Sequence, residues 1–159
     1  MGIFSRTRDI IAANVTDLLS KSEDPAQTIR VIILEMEETL VEVRASAARS
    51  IADQKEMRRQ IDRLDALQAS WTEKAELALS RGRDDLARAA LVEREKVADM
   101  AERLGREIKT IEDALDASEA DIFKLQNKLR EARARQSAIA TRMESAHNRA
   151  RMTQGERCR

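Results

Sequence analysis

The side chains able to do covalent or metal chemistry are few and scattered. His147 is the only histidine, and no cysteine or acidic cluster stands at ligand spacing around it, so it reads as a surface or seam-edge residue and not as a metal ligand. Cys158, in "GERCR", is the only cysteine; an internal disulfide is impossible and a reducing compartment is the expectation. Glu37 with Glu38, and Asp84 with Asp85, are adjacent carboxylates. On a helix, neighbours in sequence point away from each other, so neither pair makes an acid/base couple. No glycine-rich phosphate loop, nucleophile elbow or zinc spacing is present. Asn14-Val15-Thr16 matches a glycosylation sequon, a pattern common by chance. An enzyme is not expected, and neither is a cofactor or a metal.

The constellation with a physical purpose is at the start, in "MGIFSRTRDIIAANVTDLLSKSEDP". Read as a helix, Ile3, Phe4, Ile10, Ile11, Val15, Leu18 and Leu19 fall within roughly half the circumference, an arc on which Thr7, Arg8 and Asn14 intrude, with Ser5, Arg6, Asp9, Thr16 and Asp17 opposite. Such a face binds a lipid interface, the flank of a partner helix, or the chain's own hairpin. The hairpin's apolar residues are already used in its seam, which favours the first two. At about 1 kcal/mol per anchor in the lipid boundary, below the full burial value, the balance against chain ordering is marginal for one copy. Fold-on-binding to anionic or poorly packed membrane is therefore expected, strengthened where several copies act together. Myristoylation is not expected, because Arg6 stands where that motif needs a hydroxyl.

The elements that carry this segment follow from composition. Charged residues make up 36% of the 159, aromatic ones 2%, with four glycines and one proline. This is the profile of long helices with apolar seams. No stretch approaches the roughly 20 apolar residues of a membrane span, and charges interrupt the N-terminal apolar residues, so neither a span nor a signal peptide is predicted and a cytosolic chain is expected. Residues 128–159 carry nine basic and three acidic side chains, against 18 and 24 in residues 20–127. A basic helix end can bind nucleic acid, but no aromatic or groove-reading motif accompanies it, and direct nucleic-acid binding is not expected.

Asp24 and Pro25, in "SEDP", predict a helix start, with Asp24 as the cap and Pro25 at the first helical position. Apolar or small residues then recur in steps of four and three from Ile29 through Ile33, Met36, Leu40 and Val43 to Trp71, Ala75 and Ala78, the period of a coiled-coil seam. Ser50, Gln54 and Gln68 weaken it. Gly82 ends the pattern, Asp84 or Asp85 caps the next helix, and the seam resumes through Leu86, Val97, Met100, Leu104 and Ile108 to Ile139 and Met143. The step between Met100 and Ile108 predicts a local relaxation of the supercoil. The fold class is all-α: a long antiparallel coiled-coil hairpin behind a short amphipathic helix. The expected boundaries are 1–21 for the amphipathic helix, 22–81 for the first arm, 82–86 for the tip, 87–150 for the second arm, and 151–159 as a disordered tail. A chain helical through Gly82, which would need its partner in another molecule, is the alternative.

The segments "MGIFSR", "EDP", "EMEETLVEVR" at 35–44, "WTEKAELAL" at 71–79, "DDLARAALVE" at 84–93 and "NKLREARARQ" at 127–136 resemble, in order, the phage shock protein A family, whose other branch is the plastid vesicle-inducing protein. The resemblance implies an ESCRT-III-like hairpin and a peripheral membrane-stress protein on the inner face of the cytoplasmic membrane, which assembles into rings or rods and restrains an AAA+ transcriptional activator. It places membrane contacts at Ile3, Phe4, Ile10, Ile11, Val15, Leu18 and Leu19, with Arg6 and Arg8 reaching headgroups. It places subunit or partner contacts at the hairpin tip, on Trp71, Glu73, Lys74, Leu77, Leu79, Asp85, Leu86 and Leu91. The ending "ARMTQGERCR" does not resemble the family's continuation, so a C-terminally shortened relative with weakened self-association is expected. The rival function is a structural coiled-coil scaffold whose first helix docks on a protein partner.

Overall fold

The structure, a computed structural model, describes residues 2, 4 and 7–158. Ile3 and Arg6, two of the expected membrane contacts, lie outside the described residues. Four helices follow in order: α1 (Thr7–Ala12), α2 (Val15–Ser20), α3 (Pro25–Ser80) and α4 (Asp84–Arg157). No strand occurs among the described residues.

Local sequence sets the ends of these helices. Asp24 Oδ1 accepts a hydrogen bond from the Gln27 amide at 3.3 Å, and the Asp24 carbonyl accepts from Thr28 at 3.0 Å. These contacts satisfy free amides of α3's first turn, where Pro25 has no N–H to lose. At the other end Gly82 takes φ 70°, the left-handed conformation that glycine enters without a Cβ penalty. The Gly82 amide then donates to Leu79 O at 3.0 Å, and the Arg83 amide to Ala78 O at 2.8 Å. That is a Schellman closure, and it stops α3. Ala87 N donates to Arg83 O at 3.1 Å, so α4 is capped by Arg83, while Asp84 and Asp85 lie inside its first turn, where negative charge favours the helix dipole.

The chain divides into two compact units, Ser46–Ala117 and Met1–Ala45 with Ser118–Arg159. In the first, α3 and α4 run antiparallel on either side of the Gly82 turn. Ala75, Ala87, Ala90, Val97 and Ile108 are its buried residues, so the helices meet near the turn through small side chains. Two expected seam residues are displaced here. Leu86 and Met100 are each 50% exposed, and the neighbouring Ala87 and Ala101 take the seam instead. With Ala101 in place the steps run four and three without interruption, so the irregular spacing that predicts a relaxation at Met100 is absent from the seam. The polar seam residue Gln54 is satisfied across the pair, its Nε2 donating to Glu112 Oε1 at 3.2 Å, while Arg58 Nη2 approaches the same oxygen at 2.8 Å.

In the second unit, Ile29, Ile33, Met36 and Leu40 of α3 pack with Leu125, Leu129 and Ala132 of α4. Each buried Ile, Leu or Met among them contributes about 1.5–3 kcal/mol, and Ala132 less. Arg133 Nη2 meets Glu37 Oε1 at 3.1 Å along one flank of this seam. Residues 140–158 are all exposed, yet α4 stays helical to Arg157, so residues 151–157 are helical where a disordered tail is expected. Arg151, Met152, Gln154, Glu156 and Arg157 are strong helix formers that extend an existing helix at little cost, which outweighs the weaker Thr153 and Gly155.

Candidate functional site

The N-terminal segment is two helices instead of one. Ala13 N donates to Ile10 O at 3.2 Å as α1 closes, and Asn14, in extended backbone at φ −99°, accepts from the Asp17 amide through its side chain at 3.3 Å. Asn14 therefore serves as the N-cap of α2. The second helix ends where Ser22 N reaches Leu19 O at 3.2 Å, and Ser22 Oγ, hydrogen-bonded to Thr28 Oγ1, ties the linker to α3.

Both short helices lie against the α3–α4 pair of their own unit. Ile10 is 1% exposed and Val15 0%, and both belong to the cluster formed by Ile29, Ile33, Met36, Leu125 and Leu129. Phe4, Ile11, Leu18 and Leu19 are half-buried against the same cluster. Arg8 is exposed. The six described apolar residues of the segment are thus gathered on one surface. That surface is supplied by the chain itself, where the sequence favours one outside the hairpin.

Ile32 makes the difference, since it is 0% exposed although it stands outside the expected seam. It immediately precedes the seam residue Ile33, as Lys128 precedes Leu129, whereas Glu37 and Arg133 each follow a seam residue. In an antiparallel pair, residues that precede seam positions share one flank and those that follow share the other. The short helices cover the Ile32–Lys128 flank, and the Glu37–Arg133 pair lies on the opposite one. Lys128 Nζ donates to Ala13 O at 2.7 Å, satisfying the carbonyl at the break between α1 and α2, and it also lies 3.8 Å from Glu131. Gly2 packs directly on the Glu35 carboxylate, whose flexible end would have to swing aside for a Cβ. Glu35 Oε2 is shielded from solvent and has no hydrogen-bond partner among the described residues. The signal for this flank is in "IRVIILEM" at 29–36, whose apolar residues are too many for a two-helix stripe and mark a wider buried face.

At the hairpin tip, Trp71, Lys74, Leu77 and Leu86 come together around one shallow groove. Lys74 Nζ sits 4.4 Å from the centroid of the Trp71 ring, a cation–π contact. Leu79, Leu91 and Glu73 are exposed but do not line the groove, and Asp85 pairs with Arg83 at 3.4 Å. His147 and Cys158 are exposed on the terminal part of the chain. No group of three or more metal-ligating side chains occurs among the described residues, and no helix there is long and apolar enough to cross a membrane.

Known proteins share this arrangement of sequence. The chain is 31% identical over 146 residues to the membrane-associated protein Vipp1 of Nostoc punctiforme, covering 92% of this chain and 57% of that one. To Vipp1 of Synechocystis it is 29% identical over 154 residues, covering 97% and 58%. To the phage shock protein A homolog of Deinococcus radiodurans it is 30% identical over 146 residues, covering 92% and 66%. The chain thus spans less than two thirds of the length of these relatives. Residues 2–157 match the PspA/IM30 family as a whole, and with its capped hairpin and amphipathic N-terminal helices the chain belongs to that family.

Proposed function

We propose that this protein is a non-enzymatic, peripheral membrane-stress protein that binds the inner face of the cytoplasmic membrane through its N-terminal segment and supports membrane integrity. The observation that carries this is the single apolar surface formed by Phe4, Ile10, Ile11, Val15, Leu18 and Leu19. All but Phe4, which precedes them, stand on two short helices that a capped linker separates from the long pair. A segment of this kind lies in the interface plane with its apolar face among the acyl chains and its cations at the headgroups. Arg8, which is exposed, would take the second role, and Ile3 and Arg6 extend the same pattern in sequence. Relatives named as membrane-associated support the reading.

The preferred surface is anionic or packing-stressed lipid. Self-association through the tip groove around Trp71, Lys74, Leu77 and Leu86 would raise the affinity of a marginal anchor by avidity. The hairpin is the part that would restrain an AAA+ activator of the phage shock response, a role suggested by the family and carried by surface residues of α3 and α4. Replacing Phe4 and Ile11 together by Glu tests the membrane role. Co-sedimentation with anionic vesicles is expected to be lost, whereas a scaffold whose first helices serve a protein partner would never have bound the vesicles.

A further inference from the structure

We propose that the docking of residues 7–20 on the Ile32–Lys128 flank is an autoinhibitory latch, in which the side chains that enter the bilayer are the ones that hold the segment closed. The proposal rests on the membrane-binding role above and specifies how it is regulated. Ile10 and Val15 are 1% and 0% exposed, so neither touches lipid while the segment is docked. Docked and membrane-bound states exclude each other. Vesicle affinity is then the intrinsic affinity reduced by the fraction of molecules that are undocked.

The segment shares its cluster with the hairpin seam, but not every buried residue there belongs to the seam. Ile33, Met36 and Leu40 stand at seam positions facing Leu125, Leu129 and Ala132, whereas Ile32 stands on the flank and is nonetheless fully buried. Lys128 Nζ adds the 2.7 Å hydrogen bond to Ala13 O. Helices of six residues have too few turns to persist alone in water, so α1 and α2 depend on whichever apolar surface they occupy.

One feature of the docked state favours release. Gly2 stands against Glu35 Oε1, while the other carboxylate oxygen, Oε2, is kept from water and has no hydrogen-bond partner among the described residues. A shielded polar atom without a partner opposes the state that shields it, and undocking returns that oxygen to water. The latch is therefore held by Ile32 and Lys128 and loosened by Glu35.

These roles give opposite signs in one experiment on the full chain. Ile32→Ala, Lys128→Met and Glu35→Met are compared with the parent by hydrogen exchange of residues 10–20 without vesicles and by titration with anionic vesicles of phosphatidylglycerol and phosphatidylethanolamine. Thermal melting confirms that each hairpin is intact. Ile32→Ala and Lys128→Met are expected to speed exchange and tighten vesicle binding, about tenfold for Ile32→Ala. Glu35→Met is expected to slow exchange and weaken binding several-fold. If exchange shifts as described while vesicle affinity stays constant, docking does not oppose binding and the latch is refuted, although the membrane role stands. If exchange does not respond to Ile32→Ala or Lys128→Met, those contacts do not hold the segment and the latch is likewise refuted. If neither the parent nor the loosened variants bind vesicles, the membrane role fails and the latch falls with it, having nothing to gate.

Discussion

Lys128 Nζ lies 2.7 Å from the carbonyl oxygen of Ala13, so a cation on α4 closes the backbone break between the two N-terminal helices. The break arises because Asn14 leaves helical backbone and caps α2 with its side chain. The two features work together: the cap ends one short helix and starts another, and the lysine satisfies a carbonyl left over between them.

Removing the cap is expected to loosen α2 without unfolding the hairpin. Asn14→Ala should cost about 1 kcal/mol of local stability, since Ala cannot accept the Asp17 amide. Hydrogen exchange of residues 15–20 should quicken, while the thermal unfolding of α3 and α4 should stay within a degree or two. Asn14→Ser, which retains a capping oxygen, should restore most of the protection.

Seam residues that look equivalent in sequence should differ sharply. Leu125 is 1% exposed and packs into the cluster, so Leu125→Ala should destabilise by about 2–5 kcal/mol in denaturant unfolding. Met100 is 50% exposed, and Met100→Ala should cost under about 1 kcal/mol. Comparable losses at both positions would mean that Met100, and not Ala101, occupies the seam.

Gly82 is the turn residue that tolerates least change. At φ 70° an alanine is strained even though no atom stands near its added Cβ. Gly82→Ala should lower stability by about 1 kcal/mol, and Gly82→Asn by less, because Asn enters the left-handed region more readily. Thermal melting of the two variants alongside the parent measures the order.

Local chemistry accounts for what could be read from the sequence alone. Asp24, Pro25 and Gly82 act on their own few neighbours, so the start of α3 and its end follow from residue type. The register near the tip was less legible, because the choice of Ala87 over Leu86, or Ala101 over Met100, depends on how closely the facing helix approaches. Hydrophobicity alone favours the larger residue. Asn14 matched a sequon and its capping role was hidden inside what looked like one continuous amphipathic helix. Ile32, Glu35 and Lys128 could not be assigned a joint role from periodicity, since their meeting requires a third element folded back on the pair. The wide apolar run at 29–36 was the one visible sign of it.

The central claim is that the N-terminal segment is the membrane-binding element, and co-sedimentation tests it most directly. The full chain and a chain beginning at Ser22 are mixed with anionic and with neutral vesicles, spun down, and quantified in pellet and supernatant. The full chain should pellet with anionic vesicles and only weakly with neutral ones, and the chain beginning at Ser22 should remain in the supernatant with both. Equal pelleting of the two chains, or none by either, would contradict the claim.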